Sequence, residues 1–203
     1  EKNGTMRIIS GSKRGMRLLS TKGLDTRPIT DRVKESVFSI MFKWGLPAEA
    51  VAVDLFCGAG SMGLEALSRG ARWVTFIDRD RRAVQVLEQN ISRAGFVGQS
   101  RVICHNALTL GAAAQENPCD LVFVDPPYKM SEDCGPSTKI GDLMERISLQ
   151  VKEGATVILR THIRAIVPEV YGHLELIDKR EWSSMKVMFF RKQSPKKSVA
   201  QTQ

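Results

Sequence analysis

Residues 54–71 read DLFCGAGSMGLEALSRGA. The apolar run Val51-Ala52-Val53 comes directly before this stretch, and Leu64, Ala66 and Leu67 within it recur at helical spacing, so it reads as strand, tight turn, helix. Gly58, Gly60 and Gly63 fall at the turn as G-x-G-x-x-G. Glycine lets a backbone turn sharply and approach a ligand closely, which a nucleotide loop between strand and helix requires. The spacing fits the dinucleotide fingerprint of NAD or FAD sites, other nucleotide sites, and a plain strand-to-helix turn. The rest of the chain has to choose among them.

Downstream the pattern alternates. Residues 73–77 read as a strand; Asp80 caps a helix running to about Arg93 and closed by Gly95; strand 101–104, a short helix 108–114 and strand 121–124 follow. A helix over 140–149 precedes strand 156–159. Such alternation predicts an α/β fold with a doubly wound, mostly parallel sheet, whose ligand sits at the carboxyl ends of the strands. HLELIDKREWSSMKVMFFRK, 173–192, reads as two strands joined near Ser183-Ser184, which makes the last strand antiparallel. The polar QSPKKSVAQTQ, 193–203, is expected to be a disordered tail.

Upstream, MRIISGSKRGMRLLSTKG, 6–23, reads as two short apolar runs about a Gly-Ser-Lys-Arg-Gly turn, a small β-hairpin bearing Lys13, Arg14 and Arg17. TDRVKESVFSIMFKW, 30–44, sets Val33, Val37, Ile40, Met41 and Trp44 at helical spacing, with Thr30 or Asp31 as N-cap and Arg32 and Lys34 near its start. The chain thus divides into a basic arm over 1–29, an α/β body over 30–192 and the tail.

A length of 203 residues with 42% hydrophobic content suffices for one buried core. No apolar run approaches a membrane span and none resembles a signal peptide, so the expected compartment is the cytoplasm. The four cysteines lie far apart without a C-x-x-C pair, which points away from a metal or disulfide framework, and the three histidines are scattered. Net charge is +8, and residues 1–43 hold ten Lys/Arg against four Asp/Glu. Positive charge gathered at one end suits a solvated face or a polyanionic partner, RNA or DNA.

The stretch DLVFVDPPYKM, 120–130, ends the fourth core strand on Asp125-Pro126-Pro127-Tyr128. Two prolines continue neither a strand nor a helix interior, so they fix a rigid extended turn at the ligand edge. There a carboxylate and the Pro126 carbonyl accept hydrogens from the exocyclic amine of a flat base, while Tyr128 stacks on its ring.

This tetrapeptide resembles the (D/N)PPY motif of S-adenosylmethionine-dependent amino methyltransferases. Taken in order, MRIISGSKRGMRL, TRPITDRVKESVFSIM, DLFCGAGSMGLEALSRGA and DPPY are similar to the bacterial small-subunit ribosomal RNA guanine-N2 methyltransferase family, over roughly Met6 to Arg191. The resemblance implies a Rossmann-like class I methyltransferase fold, a seven-stranded sheet with a reversed final strand, acting as a monomer on small-subunit (16S) ribosomal RNA, within a subunit or an assembly intermediate. It implies S-adenosyl-L-methionine held by Asp54, Phe56, Gly58, Gly60, Asp78, Arg79, Asn106, Ala107 and Asp125, catalysis by Asp125, Pro126 and Tyr128, and RNA phosphates met by Lys13, Arg14, Arg17, Arg27, Arg32 and Lys34. Asp78 stands where the family usually has glutamate, Asn106 where it commonly has an acidic residue, and EWSSM where it tends toward Tyr-Gly. Five residues precede Met6, which resembles the family's usual start, and read either as an extension or as residues foreign to the natural chain.

The implied reaction is methyl transfer to N2 of guanine, without a metal or a covalent intermediate. The polar segment 129–139 reads either as a mobile loop closing over substrate or as an ordinary linker. Adenine-N6 methylation uses the same tetrapeptide. An NAD-dependent oxidoreductase accounts for the glycine loop alone, and a non-catalytic RNA-binding or ribosome-assembly factor accounts for the fold and charge.

Overall fold

The computed structural model describes residues 6–20, 29–113 and 118–193. After an N-terminal segment come α1 (Asp31–Phe42), β1 (Val51–Leu55), α2 (Ser61–Ser68), β2 (Trp73–Asp78), α3 (Arg81–Ala94), β3 (Ser100–Cys104), α4 (Ala107–Leu110), β4 (Leu121–Val124), α5 (Lys139–Gln150), β5 (Thr156–His162), β6 (Val170–Tyr171), β7 (Leu174–Trp182) and β8 (Met185–Lys192). The sheet order is β3-β2-β1-β4-β5-β8-β7-β6, parallel from β3 to β5, with β8 antiparallel to both its neighbours. The expected reversed final strand is therefore present. Among the described residues the sheet has eight strands where the resemblance implies seven, because Val170–Tyr171 adds a two-residue edge pairing to β7, too short to leave a periodic signal.

Both faces of the sheet are covered, and alternation along each strand sends successive residues to opposite sides. Leu121 and Phe123 of β4 join one core with α1, α2 and α3, while Val122 and Val124 join the other with α4 and α5. Helix starts follow local chemistry: the Thr30 hydroxyl accepts from Val33 N–H, and Asp80 and Thr138 cap α3 and α5 in the same way. Among the described residues no helix is long and apolar enough to cross a membrane.

The N-terminal segment turns back as a hairpin, but with a single antiparallel bridge, Arg7 to Arg17, and a 3₁₀ turn at Gly11–Lys13 in place of two strands. Its backbone is committed elsewhere. Ile9 and Ser10 N–H donate to the Glu65 carboxylate, and Leu19 N–H donates to Asn90 Oδ1. Ile8 and Leu18 are buried in the core shared with α1–α3. The predicted tail, apart from Gln193, lies outside the described residues.

Candidate active site

The sheet order reverses between β1 and β4, and in open α/β sheets the ligand crevice lies at the carboxyl ends of such neighbours. Alternation then decides which polar groups share it. Val53 and Leu55, Ile77, Val124 and Leu159 all face the α4–α5 side. Asp54, Asp78, Asp125 and Arg160, each one position away, therefore fall on the α1–α3 side at the ends of four adjacent strands.

The glycine loop leaves β1 with Phe56 at φ 57°, Gly58 at 53° and Gly60 at 87°. A Cβ on Gly60 would lie 2.4 Å from Leu87 Cδ1, whereas one on Gly58 would meet nothing within 4 Å, so the loop presents open space at Gly58. Its amides are already committed. Gly58 N–H donates to Asp78 Oδ2 at 2.9 Å, Gly60 N–H to the Cys57 carbonyl at 2.8 Å and Gly63 N–H to Asp54 Oδ2 at 2.8 Å. A pyrophosphate needs such amides at a helix N-terminus and an absence of anions beside it. Here carboxylates hold both places, which disfavours a dinucleotide and favours a cationic, hydroxyl-bearing ligand. Asp54 is 2% exposed, and burial, with the nearby Asp125 and Asp78 charges adding, raises its pKa to about 8 despite the opposing Gly63 hydrogen bond.

Around the β2 end, Asp78 Oδ1 accepts from Asp80 N–H at 2.9 Å, and the exposed Arg79 lends its carbonyl to the Cys104 thiol. Asn106 caps α4 by accepting from Leu108 N–H at 3.1 Å, and Ala107 beside it is buried. At the β4 end Asp125 N–H reaches the Leu55 carbonyl, Pro126 is buried, and Tyr128 starts a 3₁₀ turn with its ring edge-on to His162 at 5.5 Å between centroids. The aspartates at the ends of β1, β2 and β4 thus converge with the proline turn on one crevice.

Arg160, absent from the sequence expectations, joins this site. Its Nε donates to Asp125 Oδ1 at 2.6 Å. A signal existed, since Asp125 and Arg160 are each the first polar residue after an apolar run in adjacent parallel strands.

The cationic residues divide. Lys13, Arg14, Arg17 and Arg32 are exposed, and Lys13 Nζ lies 5.9 Å from the Phe96 ring centroid. Arg27 lies outside the described residues. Lys34 corrects the expectation: it is 1% exposed, ion-paired with Glu65 at 3.2 Å and donating to the Arg7 carbonyl. Burial lowers its pKa, with Glu65 opposing. It holds the N-terminal segment to α1 and cannot meet a phosphate. Segment 129–139 is likewise anchored: Cys134 is buried, its N–H donates to the Ile166 carbonyl, and its carbonyl accepts from the Tyr171 hydroxyl at 2.8 Å. Its polar composition left both a mobile loop and an ordinary linker open, and in the structure its buried Cys134 is docked.

Residues 6–191 match the model of a family described as Conserved hypothetical protein 95. The chain is similar to YlbH of Bacillus subtilis (strain 168), a candidate rRNA methyltransferase, at 34% identity over 92% of this chain and 99% of YlbH. It is 40% identical to ribosomal RNA small subunit methyltransferase D of Escherichia coli (strain K12), over 63% of this chain and 62% of that enzyme. Among solved structures it resembles the candidate methyltransferase yhhF of Escherichia coli, with a TM-score of 0.77 and 30% identity, covering 95% of this chain and all of that one.

Proposed function

The chain belongs to the family described as Conserved hypothetical protein 95, and from that premise we propose that it transfers a methyl group from S-adenosyl-L-methionine to the exocyclic N2 amine of a guanine in small-subunit (16S) ribosomal RNA. Family and fold make it a methyltransferase that uses this cofactor. We assign it to the cytoplasm, as a monomer acting on the small subunit or an assembly intermediate.

One observation carries the reading: the Asp125-Pro126-Pro127-Tyr128 turn stands across the β1/β4 crevice from a glycine loop whose amides are held by carboxylates. Such a loop suits a ligand with hydroxyls and positive charge. When bound, the cofactor supplies a methyl group on a cationic sulfur. Asp78 accepts from ribose hydroxyls, since each of its oxygens bears one backbone bond and retains a second acceptor position. Phe56 and the Gly58–Gly60 loop would flank the cofactor's amino-acid portion beside Asp54, and Arg79, Asn106 and Ala107 would border its adenine.

On the substrate side, the base amine is a poor nucleophile because its lone pair is delocalised into the ring. Asp125 and the Pro126 carbonyl accept its hydrogens, reduce that delocalisation and aim the lone pair, while Tyr128 stacks on the base. Orientation and preorganised acceptors then supply the acceleration. Asp125, or water beside it, would take the proton that the amine sheds on receiving the methyl group the cofactor would supply.

The test is transfer of labelled methyl to small subunits lacking the modification, followed by nucleoside analysis. N2-methylguanosine is expected. N6-methyladenosine would redirect the reading to adenine, and absence of label with every RNA offered would overturn it.

A further inference from the structure

We propose that Arg160 is a positioning residue for this transfer: it grips the Asp125 carboxylate by one oxygen and thereby presents the other, Oδ2, to the amine. The proposal rests on the methyltransferase reading above and adds a residue to it. Asp125 and Arg160 lie one step beyond Val124 and Leu159, which are paired in the parallel β4–β5 ladder. Alternation puts both side chains on the α1–α3 face, where Nε and Oδ1 meet at 2.6 Å.

Their setting makes the contact stronger than a surface pair. Side-chain exposure is 12% for Arg160 and 21% for Asp125. Both line a small, nearly filled recess whose other walls include Ile29, Val37, Met62, Phe123, Ile158 and Val187. In such apolar surroundings a charge-assisted bond is short and directional, and water competes poorly for either partner.

The function follows from freedom that Asp125 would otherwise have. It sits at a strand end, and rotation of its planar carboxylate would swing both oxygens away from the amine. Binding Oδ1 to a guanidinium leaves one orientation, with Oδ2 alone available to substrate. A misplacement on the order of 1 Å at a reacting group costs about a hundredfold in rate. The ladder between β4 and β5 already holds these strands together, so the pair is not needed to build the sheet.

The experiment measures methylation of unmodified small subunits by wild type, Arg160→Met, Arg160→Lys and Arg160→Gln, each alone and with Asp125→Asn, together with the cofactor dissociation constant. Wild-type turnover comes first, and its absence would sink the methyltransferase reading and leave the Arg160–Asp125 contact a structural one. Given turnover, Arg160→Met is expected to lower kcat about 30-fold with cofactor affinity and RNA KM held within about twofold. Arg160→Lys should recover part of the loss, and in the Asp125→Asn background Arg160→Met should cost less than about threefold more. Unchanged kcat, a loss that follows cofactor affinity, or independent multiplication of the two effects would each overturn the proposal. If Arg160→Met fails to fold, Arg160→Gln replaces it, and a folded Gln variant at wild-type kcat has the same overturning force.

Discussion

Asp54 bears the largest conflict between charge and burial in the crevice. Its carboxyl is fully enclosed and its pKa stands near 8 against an ordinary value of 3.8. Below about pH 4 it is protonated in folded and unfolded chains alike. As the pH rises toward about 8 the unfolded chain ionises first, so this group progressively disfavours folding, and above that the loss is complete. Asp54→Asn keeps an acceptor for Gly63 N–H and removes the charge. The variant should match wild type near pH 4 and exceed it by a few kcal/mol, about 5 at most, near pH 8, as read by chemical denaturation without cofactor. Parallel pH profiles for the two proteins would show that Asp54 titrates at its ordinary value. On the function proposed above, a cationic ligand would reverse the same conflict, so a buried acid would suit a site for a sulfonium. At this scale the sequence was readable where a motif set the position, as at Asp125 and Asp78 on the ends of their strands, and unreadable where a partner came from a distant strand or helix. Lys34 looked like one of several surface cations, although it lies in the same helical stripe as Val37, Phe38 and Met41; its burial depends on partners distant in sequence, the Glu65 carboxylate 31 positions on and the Arg7 carbonyl 27 positions back.

The elements themselves were legible, because apolar runs and caps are local. β4 matches its expected limits, and α3 lies between the Asp80 cap and the Gly95 stop as read. What escaped is set by contacts between elements. The N-terminal segment is the clearest case: it docks along α2 through Glu65 and Ser68, whose hydroxyl donates to the Ser10 carbonyl at 2.6 Å and accepts from Lys13 N–H. Gly11 makes the approach possible. Its φ is +79°, and an added Cβ would lie 1.8 Å from the Ser68 carbonyl oxygen, a backbone atom that cannot swing aside. Gly11→Ala should therefore lift the 3₁₀ turn off α2 at a cost of about 3 kcal/mol. Cofactor affinity should change less than about threefold, since the glycine loop is anchored separately by Asp54 and Asp78. Thermal denaturation with a cofactor titration checks both halves, and an unchanged melting temperature would mean that the segment is not held as a rigid part of the fold.

Over the whole molecule, the docked segment carries exposed positive charge on a fixed backbone. Asn90 donates to both the Leu19 and the Ala59 carbonyls, so one side chain of α3 ties the basic segment to the glycine loop. Lys13, Arg14 and Arg17 are thereby carried, exposed, on a docked segment whose turn lies where α2 and α3 end, and on the function proposed above they would steer a polyanion without reading its sequence. The uneven charge was plain in the sequence, but which cations face solvent was not, because that depends on how the segment folds back. The distinction can be measured. Each phosphate contact steepens the dependence of log affinity on log salt by about 0.7 to 0.9. Replacing Lys13, Arg14 and Arg17 together by alanine should flatten that slope by about 2 and weaken binding to unrelated RNAs equally. Lys34→Met, though it removes the same kind of charge, should leave the slope of the folded protein where it was, since Lys34 is spent on Glu65. Filter binding across a salt series separates the two. An unchanged slope for the triple variant would take the segment out of the RNA contact, and a flattened one for Lys34→Met would mean that the segment opens to expose this lysine when RNA binds.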